Sequence, residues 1–353
     1  MNKKHIYYMD LLRVVACFFI VMVHVSAMEW NNVSVKTATW QTMNVYDCIG
    51  IMGVPLFVML SGALMLRTDY EVTVKKILKK VLVLFIVCHI WLLAYNLEAF
   101  IVNGYAWDLY HIKKYLVSQV IRGLGIYHLW FLPMLMVMYL LTPILKPAFS
   151  QEKICRYYLL LYAVIGLLVP TAFLFEFPGK YLLQDFYNRT SYTMLTGYIG
   201  YFVAGHYIHS YMKPLTGRKK GMVWGAVIVC CIITITVCGM DAVQKNAPSV
   251  ILNNPLTITD FISTVGIYAL FRNIGYTHEE KNTPGWLSFL SKLTFGIYLV
   301  HPFVLMAFMA AGFTTILLPP VIMIPCVTAA AFLVSGGLSY AIGKIPFVGQ
   351  YLV

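Results

Sequence analysis

Charge is what this sequence has least of. Asp, Glu, Lys and Arg together make up 11% of its 353 residues, while 60% are hydrophobic, a balance that excludes a soluble globular domain and a disordered chain alike. Acidic residues are scarcer still, 14 against 26 basic ones. In a soluble protein a formal charge of +12 would raise a nucleic-acid partner; here the positive-inside rule accounts for it, and no nucleic acid is expected. Also missing are internal repeats, low-complexity tracts and a small-residue cleavage site behind the first apolar run, so that run reads as a retained span. Six of the eight cysteines, Cys17, Cys88, Cys230, Cys231, Cys238 and Cys326, fall in apolar runs where a small polarizable residue is the default. Cys48 and Cys155 have no obvious partner. Neither disulfides nor a metal site are expected.

What the sequence has in abundance is apolar runs long enough to cross ~30 Å of hydrocarbon as helices. They fall near 9–28, 45–66, 78–102, 129–147, 157–175, 194–212, 221–239, 256–273, 287–311 and 317–343. The fold class is therefore all-α, a polytopic membrane protein of about ten transmembrane helices. With the N-terminus inside, seventeen Lys and Arg fall on the inner side and seven on the outer, leaving Arg13 and Lys292 within spans. That asymmetry predicts both termini in the cytoplasm. The longest outer loops, about 29–44, 103–128 and 176–193, are too short to hold a core.

Ionisable residues inside a bilayer are costly and mark function by default. Arg13 and His24 share the first span, DLLRVVACFFIVMVHVSA, eleven positions apart. Eleven steps of ~100° and ~1.5 Å place both on one helix face about 16 Å apart, Arg13 near the inner surface and His24 towards the outer. Asp10 can pair with Arg13 across one turn, but lies about 21 Å from His24. An orienting carboxylate for His24 would have to come from Asp47, Glu98 or Asp260 at the outer ends of other spans. His128 and His301 fall at the depth of His24, so three imidazoles could share one chamber. His89 reads as an interhelical hydrogen bond, and His206 and His209 as interfacial residues. The cluster Lys75, Lys76, Lys79 and Lys80 reads as attraction to anionic membrane lipid and topology control, in preference to binding an anionic ligand.

These residues resemble the acyltransferase 3 family of integral-membrane acyltransferases, whose hallmark is Arg or Lys, ten residues, then His in the first helix. Arg13 and His24 fit that spacing. So do VPLFVMLSG at 54–62, like the family's Phe-rich Ser-Gly segment, YHLWFL at 127–132 and FGIYLVHP at 295–302, four segments in order over nearly the whole chain. The layout is most similar to stand-alone members that O-acetylate surface carbohydrates. The resemblance implies one transmembrane domain over 1–353 without the fused hydrolase-like domain of some relatives, in the cytoplasmic membrane of a bacterium. It implies an O-acetyltransferase moving an acyl group, acetyl by analogy, from cytoplasmic acyl-CoA to a hydroxyl of a cell-envelope carbohydrate or lipid-linked glycan.

On that reading His24 is the general base or, less in keeping with the pattern, a transient acyl carrier. Arg13 pairs with a phosphate of the CoA moiety, with Arg67 as second phosphate ligand and Ser61 beside CoA. His128, Trp130 and His301 supply oxyanion donors or shape the acceptor pocket. Tyr105, Trp107, Tyr110, Tyr115, Tyr127 and Trp130, with His111 and the basic Lys113, Lys114 and Arg122, make the third outer loop the preferred place for an anionic glycan; an amphipathic cover on the membrane is the alternative. Two rival readings remain, a secondary transporter of a small solute and a sensory subunit that has lost chemistry. A homodimer is left open.

Overall fold

The computed structural model describes residues 6–122, 128–277, 283–346 and 349. Among them there is helix and no strand, as a bilayer requires of an open chain whose backbone groups must be satisfied internally. The helices used below are α1 Tyr7–Ser26, α2 Ala38–Gly50, α3 Gly53–Met65, α4 Val74–Val102, α5 Phe131–Phe149, α6 Glu152–Ala172, α7 Ile199–Ser210, α8 Gly217–Lys245, α9 Ile258–Thr277, α10 Gly285–Ala310 and α11 Pro320–Gly343. With α2 and α3 taken as one segment, eight among the described residues are long and apolar enough to cross a membrane. They correspond to eight of the ten runs read from the sequence. The other two runs, 194–212 and 256–273, correspond to α7 and α9. At 12 residues, α7 is about 18 Å long, less than the hydrocarbon thickness. Lys3, Lys4 and Lys281 of the charge count lie outside the described residues.

The run at 45–66 is broken where Pro55 lacks the N–H that would reach the Ile51 carbonyl, so α2 stops at Gly50 and α3 restarts at Gly53. Between apolar helices in lipid the attraction is close packing and not water exclusion, and small residues permit it. α3 and α7 show the case: a Cβ on Gly62 would stand 1.8 Å from the Phe202 carbonyl oxygen, and one on Gly205 would stand 2.0 Å from that of Met59. The two backbones touch through reciprocal glycines. Ser61, next along α3, is thereby turned to the other side.

α1 is the axis of the molecule. It packs against α2, α3, α9, α10 and α11, and Leu12, Ala16, Cys17, Val21 and Val25 on it are fully buried. α8, by contrast, presents Ile228, Val229, Ile232 and Met240 outward, as a lipid-facing helix does. Arg13 and His24 are thus carried by the helix that the others enclose.

Candidate active site

Two polar places lie along α1. At the first, Asp10 is buried and held by the Ser291 hydroxyl of α10 at 2.6 Å, and Arg13 pairs with Asp10 at 3.2 Å. The guanidinium, its side chain 30% exposed, faces a cavity of about 210 Å³ enclosed by α1, α3, α4, α5 and α10. Ser61 of α3 and Tyr139 of α5 line this cavity. Lys80 of α4 lines it too, its ammonium over the rings of Tyr70 at 4.9 Å and Tyr139 at 5.7 Å. A cavity with two cations and two hydroxyls at one end and apolar walls beyond suits a phosphorylated molecule with a long neutral arm.

Arg67, the sequence's choice as second cation, does not line this cavity; it stands 3.1 Å from Asp69. Lys80 does line it; nothing in one helix's sequence shows which of Lys75, Lys76, Lys79 and Lys80 faces a cavity.

One level along, three imidazoles meet. The ring of His301 stacks on that of His24 with centroids 5.1 Å apart and planes within 18°, and His128 stands edge-on at 5.5 Å from His301 and 6.5 Å from His24. His128 and His301 are buried, whereas His24 keeps partial exposure. Each ring comes from a different element, His24 from α1, His128 from the turn before α5, and His301 from α10. Tyr298 binds two of these together by donating its hydroxyl to the His128 carbonyl at 2.6 Å. Tyr95 of α4 packs edge-on to His128 at 5.1 Å and donates to the Leu299 carbonyl at 2.7 Å.

His301 is oriented by its neighbour in sequence. Pro302 sits inside α10 and cannot give the Tyr298 carbonyl its usual intrahelical N–H. His301 Nδ1 fills that place at 2.8 Å, with the Ile297 carbonyl at 3.2 Å. A carbonyl only accepts, so Nδ1 carries the proton and a neutral ring presents Nε2 as an acceptor. That Nε2 is buried with no hydrogen-bond partner among the described residues. A His-Pro pair in a span is thus a signal for an oriented imidazole, legible in sequence once the missing N–H is counted.

The remaining candidates are scattered. Trp130 is 44% exposed and packs on Tyr198 at 5.4 Å, outside the three-ring cluster. Asp47 hydrogen-bonds Ser26 at 3.0 Å and accepts from the Asn253 amide, Asp260 is buried at the start of α9, and Glu98 is half-buried on α4. His206 and His209 differ from the interfacial reading: His206 is fully buried with Nε2 donating to the Phe149 carbonyl at 3.0 Å, and His209 hydrogen-bonds Tyr8 at 2.7 Å. Both tie α7 to other helices. His89, read as an interhelical tie, bonds the Phe85 carbonyl of its own helix at 2.8 Å. Cys48 packs with Cys238 in a small buried cluster, a neighbour that spacing could not supply.

In the segment after α4, Tyr105 and Tyr115 stack with centroids 4.2 Å apart, and the Lys114 ammonium lies 4.9 Å from the Tyr115 ring and 5.3 Å from that of Tyr110. Asp108 caps the short helix there, and the His111 backbone N–H and ring hold its carboxyl below the ordinary range. Trp107 is 65% exposed. Tyr127 and the Arg122 side chain lie outside the described residues.

A family model described as an acyltransferase domain matches residues 6–340, nearly the whole chain. No curated protein and no solved structure matches it.

Proposed function

Since the chain belongs to the acyltransferase 3 family and is a multi-pass membrane acyltransferase, we propose that it moves an acetyl group from cytoplasmic acetyl-CoA to a hydroxyl of a cell-envelope carbohydrate or lipid-linked glycan. The observation that carries this reading is the arrangement along α1: a cavity holding Arg13 and Lys80, and one level along it a group of three imidazoles of which His24 alone keeps exposure. Acyl-CoA is made inside the cell and envelope glycans are displayed outside, so an enzyme joining them needs a charged end and a reactive end separated along the membrane normal. The excess of Lys and Arg on one side supports a cytoplasmic Arg13 end, and the family resemblance supports the cytoplasmic membrane of a bacterium.

In the proposed reaction Arg13, with Lys80, pairs with phosphate oxygens of the CoA moiety, and the neutral pantetheine arm runs through the apolar part of the cavity. His24 accepts the proton of the acceptor hydroxyl as its oxygen attacks the thioester carbonyl. The new C–O bond gives a tetrahedral oxyanion, which collapses with cleavage of the C–S bond. The imidazolium returns the proton to the leaving thiolate, so the products are an acetyl ester and free CoA thiol. Stacking on His301 and the edge of His128 hold the His24 ring. The exposed aromatic faces of Tyr110 and Trp107 offer the acceptor sugar a surface to rest on.

The test is mass spectrometry of envelope glycans and glycolipids from cells with the parent protein, with His24→Ala and with neither. An acetyl mass present only with the parent supports the proposal. An unchanged acetyl pattern in all three rejects it.

A further inference from the structure

The last turn of α1 carries His24, and the side chains that hold this turn take no part in the proposed reaction. Ser26 Oγ stands 2.9 Å from the Val23 carbonyl oxygen and 3.0 Å from Asp47 Oδ1, and the Asn253 amide donates to Asp47 Oδ2. Ser26, Asp47 and Asn253 are 0%, 6% and 6% exposed. Asp47 belongs to α2 and Asn253 to the stretch before α9, so three segments meet in one chain of hydrogen bonds.

The protons along that chain decide the state of Asp47. A hydroxyl has one hydrogen to give. Were Asp47 a carboxylate, Ser26 would give that hydrogen to Oδ1, and the 2.9 Å contact with the Val23 carbonyl would be left without a proton. Both contacts are full hydrogen bonds when Oδ1 itself carries a proton, Asp47 donating to Ser26 and Ser26 to Val23. The surroundings favour the same state. Towards Asp47, α1 brings His24 and α9 brings Asp260; α8 brings Cys238, packed with Cys48, and further on Asp241, which pairs with Lys245 at 2.8 Å; α11 has no charged residue. No cation pairs with Asp47 among the described residues, and a buried carboxylate without one is costly.

We propose that Asp47 is a neutral carboxylic acid and the positioning residue of His24; the positioning part rests on the acyl-CoA reading above. The Val23 carbonyl and the His24 N–H belong to one planar peptide unit, so the hydrogen bond ending on Val23 sets the plane from which His24 departs. Val23 is among the last four residues of α1, whose carbonyls lack the usual intrahelical donors; the Ala27 N–H reaches it at 3.3 Å. The support behind Asp47 is firm. A Cβ on Gly50 of α2 would stand 2.9 Å from the Val23 nitrogen, and Asn44 of α2 donates to the Ile235 carbonyl of α8 at 3.0 Å. Ionising Asp47 draws the Ser26 hydroxyl away from Val23 and releases that peptide plane.

The experiment reads the full chain in two ways. The infrared spectrum of solubilised parent minus that of Asp47→Asn, at neutral pH, is expected to show the C=O band of a protonated carboxylic acid, shifted in heavy water. CoA release from acetyl-CoA with envelope acceptor is expected to stay within about threefold of the parent in Asp47→Asn, since an amide offers the same acceptor to Asn253 and a donor to Ser26. Asp47→Ala offers neither, and is expected to lower turnover about tenfold with acetyl-CoA affinity unchanged. Where Asp47→Ala does not accumulate, Ser26→Ala, which cuts the link to Val23, carries the test with the same expected fall. Absence of the band, or an Asp47→Asn protein as impaired as the alanine variant, overturns the neutral carboxyl. Alanine variants that turn over like the parent, or that lose donor affinity instead, overturn the positioning role. A parent that releases no CoA from acetyl-CoA overturns the acyl-CoA reading and the positioning role with it, while the infrared band still decides the state of Asp47.

Discussion

The two ends of α1 solve opposite problems with the same helix. Around Arg13 the polar side chains are charged or hydroxylic: Asp10 on the same helix pairs with it under the hydroxyl of Ser291, and Ser61, Tyr139 and Lys80 from three other helices line the cavity it faces. Around His24 they are aromatic: His128, His301, Tyr95 and Tyr298 converge as rings. The first end holds a permanent charge, and the second holds a ring that can take up or release a proton. On the proposed reading, separating them by three turns lets one helix present an anionic donor to one level and its reactive bond to another.

Substitutions should therefore split into two kinds. The largest effect is expected at the ring end: His24→Ala should lower acyl transfer about 10²- to 10⁴-fold, the usual range for a general base, while acetyl-CoA still binds. Full transfer by that variant, read as CoA released in the presence of envelope acceptor, would break the comparison at its reactive end. Arg13→Ala should act the other way, weakening acetyl-CoA binding about 10- to 100-fold as one charge-assisted contact is lost. Calorimetry on solubilised protein reads this, and parent-like affinity would remove the phosphate role.

Smaller effects sharpen the same contrast. His301→Phe keeps a ring on His24 but gives up the oriented Nε2; a roughly tenfold fall in turnover is expected, the weight of one hydrogen-bonding group, with donor affinity unchanged. A loss of donor affinity instead would mean that the two levels are not separate. Lys80→Met should weaken acetyl-CoA binding by less than about fivefold, since the ammonium is exposed and screened, and should leave turnover at saturating donor near the parent's. A fall in turnover at saturating acetyl-CoA would place Lys80 in the chemistry.

Much of this was legible in the sequence, for reasons that hold within single helices. The apolar runs, the shared face of Arg13 and His24, the depth of three histidines and the Asp10–Arg13 pair each follow from ~1.5 Å and ~100° per residue. Local arithmetic could not reach contacts between helices. It favoured Arg67 over the lysine cluster as second cation, and of these Lys80 lines the cavity; it read His206 and His209 as interfacial, whereas His206 is buried against Phe149 and the half-buried His209 bonds Tyr8. The orientation of His301 lay between these cases, since Pro302 was visible but the carbonyl it frees had to be seen accepting from the ring.

The sequence by itself determined that the chain is a bundle of membrane helices, which one carries the paired Arg and His, and how far apart those two groups stand, because composition and helical period fix them without reference to any other residue. Only the tertiary structure decided what meets them. Helix packing in lipid turns on close fits such as Gly62 and Gly205 against facing backbones, and such fits are relations between distant segments. They bring three imidazoles from separate elements together and set a lysine of α4 in the cavity that Arg13 faces.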